Sequence, residues 1–327
     1  MRTIKSQIAR VVKSLCYQMG IDAMKRRLLP SSVPVIIRYH SVCSDSQLIS
    51  SGIRLSPEAF REHVAYFAKY FHVVSMTHLL ERIQNRKPFL ENTLVLTFDD
   101  GYADNFGAAK VLKDFELSGL FYITAGCIES DEPFWVAEVR HLIENTQKHE
   151  MTLSLPDGEC CIGVSSRQDR EQAIKKMTRL LKSVTMEVRE HIRASLRLQL
   201  NDTPPFPKDL MLNWSQMREM VQMGMEIGGH SMTHPNLPSA TKGEAQDEIR
   251  DCKALLEAQL QTEIIHFAYP NGGALAHFDE KSKSLLREAG FQTATTSKSG
   301  NPGFESDLFE LRRMRSTEEL AEMLWDI

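Results

Sequence analysis

The sequence has no run of about 18 apolar residues, the length a helix needs to cross a bilayer, so no transmembrane helix is expected. It has no C-x-x-C pair. Its six cysteines stand at 16, 43, 127, 160, 161 and 252, and the vicinal pair 160–161 is a poor metal clip. Reduced thiols, buried or half-buried, are therefore expected. Basic charge is not in excess: the net charge of −4 supplies no global field for nucleic acid. No internal repeat or low-complexity tract is present. The opening segment, MRTIKSQIARVVKSLCYQMG, also lacks the uninterrupted apolar core of roughly 7–15 residues that defines a secretory signal. Arg2, Lys5, Arg10 and Lys13 break it up, so a cytoplasmic location is the expectation.

What is present is enough for one large α/β domain or two small ones: 327 residues, 42% hydrophobic and 25% charged. At the N-terminus, Ile4, Ile8, Val11, Val12, Leu15 and Met19 recur at helical spacing. Residues 1–28 hold seven Lys/Arg and one acid, Asp22. Such a basic amphipathic segment, residues 1–30, either packs its stripe on the domain or lies on the inner face of an anionic membrane. The remainder, 31–327, alternates short apolar runs with helical patterns. Strands are expected at Val33–Tyr39, His72–Ser75, Leu94–Phe98, Leu120–Thr124, Met225–Gly228, Ile264–Tyr269, Gln292–Thr296 and Glu310–Met314. Helices are expected at Pro57–Tyr70, Thr77–Arg86, Gly107–Glu116, Ser215–Met223, Lys242–Leu260 and Phe278–Ala289. This alternation implies an α/β fold with a parallel sheet or barrel. Residues 131–210 interrupt it with a hairpin around Pro156-Asp157-Gly158 and charged helices, read as an insertion serving as a lid or docking surface.

In parallel α/β folds, sites form at the carboxyl ends of strands. After the first strand stands His40. After Leu94–Phe98 stand Asp99 and Asp100. After Met225–Gly228 comes GHSMTHPNL, with His230 and His234. After Ile264–Tyr269 comes PNGG, and the last strand carries Arg312, Arg313 and Arg315. Taken singly, each has a plain structural role as cap, turn or solvated edge. Together at successive strand ends they point to a metal hydrolase. Four-residue spacing on a helical turn would set His230 and His234 on one side. Two imidazoles and a carboxylate leave a coordination position open for water. One aspartate can ligate while its neighbour acts as base, kept ionised by a cation such as Arg313. His40 could protonate a leaving amine.

These residues resemble the polysaccharide deacetylase family, the NodB-homology enzymes of carbohydrate esterase family 4. TFDDG (97–101) matches that family's first motif and HSMTH (230–234) its second. FAYPNGG (267–273) is similar to its third, with Ala268 where many members have arginine. RYHSV (38–42) is similar to the start of a subgroup whose motifs are circularly rearranged. The resemblance covers roughly residues 33–128 and 211–315. It implies a distorted (β/α)7-type barrel carrying the helical insertion, and a divalent metal, usually zinc. Asp100, His230 and His234 would be the ligands, Asp99 the base, His40 the acid and Arg313 the supporting charge. Tyr102, Tyr269, Pro270 and Asn271 would meet the substrate, with the oxyanion held by the metal and a backbone N–H near Tyr102. The implied reaction removes an N-acetyl group from an amino sugar in a polysaccharide or lipid-linked glycan. The rivals are a deformylase, an O-deacetylase and a non-catalytic carbohydrate-binding pseudoenzyme. No nucleic-acid partner is expected.

Overall fold

The computed structural model describes residues 2–327 except 45–47, 51, 156, 157 and 274; for residues 2–8, 154, 155, 158 and 326 it describes the backbone alone. Seven parallel strands form the frame: β1 (Val35–Tyr39), β2 (Thr93–Phe98), β3 (Leu120–Ile123), β4 (Glu226–Gly229), β5 (His266–Ala268), β6 (Thr293–Thr295) and β7 (Met314–Arg315). Their order across the sheet is β6-β5-β4-β3-β2-β1-β7, and the short strand His72–Val73 pairs with the start of β2. The terminal segment spans both sheet edges. Leu311 bridges to Thr295 on β6, while Met314 and Arg315 pair with Ile37 and Arg38 on β1. This is the expected distorted barrel, closed by a few residues.

Alternation along the strands explains the packing, because successive side chains point to opposite faces. Ile36, Val95, Tyr122, Ala268 and Leu311 share one buried cluster inside the barrel. Val35, Ile37, Leu94, Leu96 and Phe98 belong to the larger core between sheet and helices. Local signals set the helix ends. The Pro57–Tyr70 helix starts where the Ser56 hydroxyl accepts from Ala59 N–H at 3.2 Å, with proline in the first turn. The Lys242–Leu260 helix opens on a Thr241/Glu244 capping box and buries Ala245, Ile249, Cys252, Leu256 and Leu260.

Three expectations need correction. The last strand is Met314–Arg315 with a single bridge at Leu311, rather than continuous Glu310–Met314, because it must cross the barrel opening. A small parallel pair, Ser41–Val42 with Arg54–Leu55, was not anticipated; two residues are too short to show a period. Among the cysteines, all free, Cys161 is exposed rather than shielded.

The insertion has its own core, built from the Trp135–Asn145, Arg167–Ser183 and Met186–Gln199 helices on the Glu150–Leu155/Gly158–Gly163 hairpin. Pro156 and Asp157, the expected turn, lie outside the described residues. The N-terminal helices, Arg2–Gln18 and Ile21–Leu28, are mounted with their polarity inverted. Tyr17 donates to Glu62 and packs on Tyr66, and Arg10 pairs with Glu319, so the polar side faces the barrel. Val11, Val12, Leu15 and Met19 face outward. The side chains of Ile4 and Ile8, also part of the expected stripe, lie outside the described residues.

Candidate active site

Asp99 and Asp100 directly follow β2, and the strand direction delivers both to the same rim as His40 from β1. Asp99 is almost wholly buried. The guanidinium of Arg313 grips it with Nη1 at 2.6 Å from Oδ1 and Nη2 at 2.7 Å from Oδ2. Arg313 is held in turn by Nε donating to Thr296 O and Nη1 donating to Thr97 Oγ1. Burial alone would raise the Asp99 pKa; the charge and hydrogen bonds of Arg313 prevail and hold it at about 2.

Asp100 has φ of 78°, a left-handed backbone that costs a non-glycine residue energy and is typical of functional turns. Its Oδ1 lies 3.3 Å from His230 Nε2 and 3.4 Å from His234 Nε2. His230 follows β4 and donates from Nδ1 to Ala268 O at 2.7 Å, which turns its Nε2 toward the carboxylate.

The expected helical turn between the two histidines is absent. Residues 230–234 form a loop in which Ser231 (φ 65°) and His234 (φ 57°) are both left-handed. Glu248, from the Lys242–Leu260 helix, holds it by accepting from the N–H groups of Met232 and Thr233, both at 2.8 Å, and from the Thr233 hydroxyl. Burial, outweighing the contact with Asp100, lowers His234 to about 4.

The three donors fit a divalent cation. Their ligating atoms lie within 4.8 Å of one another. Bond lengths of about 2.0–2.2 Å at tetrahedral angles separate ligand atoms by about 3.4 Å, which is how far Asp100 Oδ1 stands from each imidazole Nε2. With the His230 proton on Nδ1, an imidazole lone pair faces a carboxylate lone pair, an arrangement that a cation relieves. His234 Nδ1 is buried without a hydrogen-bond partner.

His40 Nε2 stands 3.9 Å from Asp99 Oδ2. Burial brings its pKa to about 4 against the pull of Asp100 and Asp99. As a neutral imidazole it would serve as the expected acid by first taking up a second proton.

Of the expected substrate contacts, only Asn271 lines the cavity of about 220 Å³ above Asp99 and Asp100. Its Nδ2 donates to Pro235 O, and its Oδ1 has no partner. The Tyr102 ring is buried with Ile49, Phe134 and Ala137, beside Asp100 rather than in the cavity. Its backbone N–H lies between the Ala103–Leu210 and Leu212–Gly101 bonds and takes part in neither. Tyr269 faces the outer core, its hydroxyl donating to Phe309 O, and Pro270 is buried beside it away from the cavity. The turn that follows needs glycine, since a Cβ at Gly272 (φ 144°) would collide with Ser297.

Sequence reasoning missed four contributors. Lys182 and Phe134 reach the cavity from the insertion. Glu248 acts from behind the histidine loop, and Arg38 lines the cavity from β1. Only Arg38 left a trace in the sequence, as a charge inside the apolar run VPVIIRYH.

A family model described as polysaccharide deacetylase matches residues 86–294. YxkH of Bacillus subtilis (strain 168), named as a polysaccharide deacetylase, is 20% identical over 289 residues, covering 88% of this chain and 72% of its own. Streptococcus pyogenes deacetylase PplD, solved in complex with acetate, shares the fold with a TM-score of 0.60 and 18% identity, over 90% of this chain and 97% of that one. IcaB from Ammonifex degensii does so with 0.57 and 17%, over 91% and 98%. The matched span begins ahead of β2 and ends on β6, so it takes in both aspartates and both histidines, and by it the chain belongs to the polysaccharide deacetylase family.

Proposed function

We propose that this protein is a metal-dependent hydrolase that removes the N-acetyl group of an amino sugar in a glycan or lipid-linked glycan intermediate. One observation carries the reading: Asp100, His230 and His234 converge, with Asp99 next to them and His40 across from it. Those three would hold a divalent cation, and two imidazoles with one carboxylate suit zinc. When bound, the cation supplies a Lewis acid that polarises an acyl oxygen and acidifies water. Asp99 is ionised by its pairing with Arg313 and stands ready to take a proton from the attacking water. His40 is the nearest second acceptor and can relay that proton toward the leaving nitrogen. With Asp99 ionised and His40 a neutral imidazole at rest, the attacking water is the source of the extra proton the amine receives. The Tyr102 N–H, which has no acceptor among the described residues, is a candidate donor to a developing oxyanion. Arg313 touches Asp99 and is a positioning residue.

Metal analysis combined with acetate release on a panel of N-acetyl, N-formyl and O-acetyl sugars tests this reading. Bound metal with acetate released from N-acetyl sugars is expected. Formate or O-acetyl release alone would make the enzyme a deformylase or esterase, and no release from any sugar would favour a pseudoenzyme.

The N-terminal helices support a second reading, that the protein rests on the inner face of an anionic membrane. Among the described residues no helix is long and apolar enough to cross a membrane. Met19, Leu28 and Leu29 are 72%, 69% and 75% exposed, on the same segment as Val11, Val12, Leu15 and Met24. Exposed Lys25 and Arg27 flank them, with Trp325 near Lys13. Apolar side chains outward, with bases beside them, suit an interfacial helix. The full chain should cosediment with vesicles containing phosphatidylglycerol and not with purely zwitterionic ones, and Leu15→Asp with Leu28→Asp should abolish this. A dimer in solution with no vesicle binding would assign the face to a second copy instead.

A further inference from the structure

The cavity holds more positive charge than its carboxylates use. Asp99 is saturated by Arg313, and Asp100 is engaged by two histidines. Three further cations line the same space: Arg38 from β1, Arg315 from β7 and Lys182 from the insertion. Arg38 makes no hydrogen bond or close ion pair with its guanidinium among the described residues, feeling only the charges of Asp99 and Asp100, and its Nε is buried without a partner. The Lys182 amine is likewise without a partner, apart from the distant charge of Asp100. Arg315 donates to Gly52 O and lines both this cavity and a neighbouring one of about 520 Å³. A half-buried guanidinium with its Nε shielded from water and no close ion pair is costly, and a charge-assisted bond to an anion would offset that cost.

Resting on the deacetylase reading, we propose that the substrate carries an anionic substituent, phosphoryl or carboxylate, next to the sugar that is deacylated, and that Arg38, Lys182 and Arg315 receive it. The three residues come from different parts of the fold. Arg38 and Arg315 are register partners on adjacent strands, so their side chains emerge side by side at the rim. Lys182 reaches the same cavity from the last turn of the Arg167–Ser183 helix of the insertion. The anion therefore binds between barrel and insertion, which ties substrate recognition to the insertion.

The test is calorimetric binding to the full-length protein of three probes: N-acetylglucosamine, its 1-phosphate and the corresponding uronic acid. At least one anionic probe should bind tenfold or more tightly than the neutral sugar, with affinity falling as salt rises. Preference for the phosphate alone assigns a phosphoryl group, and for the uronic acid alone a carboxylate. Arg38→Gln and Lys182→Gln should each remove most of that preference while leaving the neutral sugar's affinity within about twofold, and Arg38→Lys should restore part of it. Lys182→Gln lies outside the barrel core and keeps the test decisive if Arg38→Gln does not fold. Equal affinity for all three probes, or a preference that survives both substitutions, overturns the proposal. Acetate release from neutral sugars with no anion preference would sink this inference and leave the deacetylase reading standing. Anion-selective binding with no deacylation of any probe would do the reverse.

Discussion

Arg313 governs what Asp99 can do. A buried carboxylate without a partner would rise in pKa and take up a proton; the bidentate guanidinium reverses this and keeps a proton acceptor ionised in a dry place. The pair stabilises the fold at any pH above the range of an unfolded aspartate, about 3.9, and that contribution disappears as pH falls through about 2. Arg313→Met should therefore cost about 3–5 kcal/mol in denaturant unfolding by stranding the carboxylate. It should also move the acid limb of kcat/KM to higher pH. An unshifted limb would mean that Asp99 is not the base. Asp99→Asn separates proton transfer from metal binding: metal content should stay at the wild-type level while kcat falls about 10²- to 10⁴-fold. An Asp99→Asn enzyme with undiminished turnover would remove this residue from the chemistry.

The element that most needs its surroundings is the loop 230–234. It holds two left-handed residues that would not persist in an isolated peptide. Glu248 fixes it from one side, and Arg189 of the insertion adds hydrogen bonds to Thr233 from the other. Trp135 of the insertion donates to His234 O at 3.1 Å. Losing such an outer partner typically weakens metal affinity by about 10- to 100-fold. Glu248→Ala should do so, measured by competition with a chelator, and should lower stability by about 1–3 kcal/mol because two buried N–H groups lose their acceptor. Glu248→Gln, with one acceptor oxygen left, should fall between. Unchanged metal affinity in Glu248→Ala would show that the loop keeps its shape unaided.

Across the whole molecule, two separate cores and a set of buried histidines shape stability. The insertion's core, with Met177 and Leu196 fully buried, is distinct from that of the barrel. Leu196→Ala should lower the insertion's stability by about 2–5 kcal/mol. Hydrogen exchange should quicken in 135–200 while β2 and β3 stay protected; uniform loss of protection would mean the two cores unfold as one. His40, His63, His234, His266 and His277 are all lowered to about 4, burial being the chief cause each time. An unfolded histidine titrates near about 6.5, so the unfolded chain binds more protons between that value and about 4. Stability is then full above pH 6.5 and falls as the solution is acidified toward 4. The urea midpoint should decline over this window. His63→Gln, at a residue that does not line the cavity and is bonded to the Tyr39 hydroxyl, should decline less steeply.

The sequence by itself determined the alternating α/β pattern, helix limits to within about two residues, and the identity of Asp99, Asp100, His230, His234, His40 and Arg313 as rim residues. Hydrophobic period, caps and strand-end position are local, and they survive in a linear string. Only the tertiary structure decided the rest. It showed that the histidine pair converges through a strained loop, that Tyr269 and Pro270 turn away from the cavity, and that the N-terminal stripe faces outward. It also brought Arg38 and Lys182, 144 positions apart, to one cavity. Which side chains share a space depends on how the strands close and how the insertion seats, and those contacts have no signature in neighbouring residues.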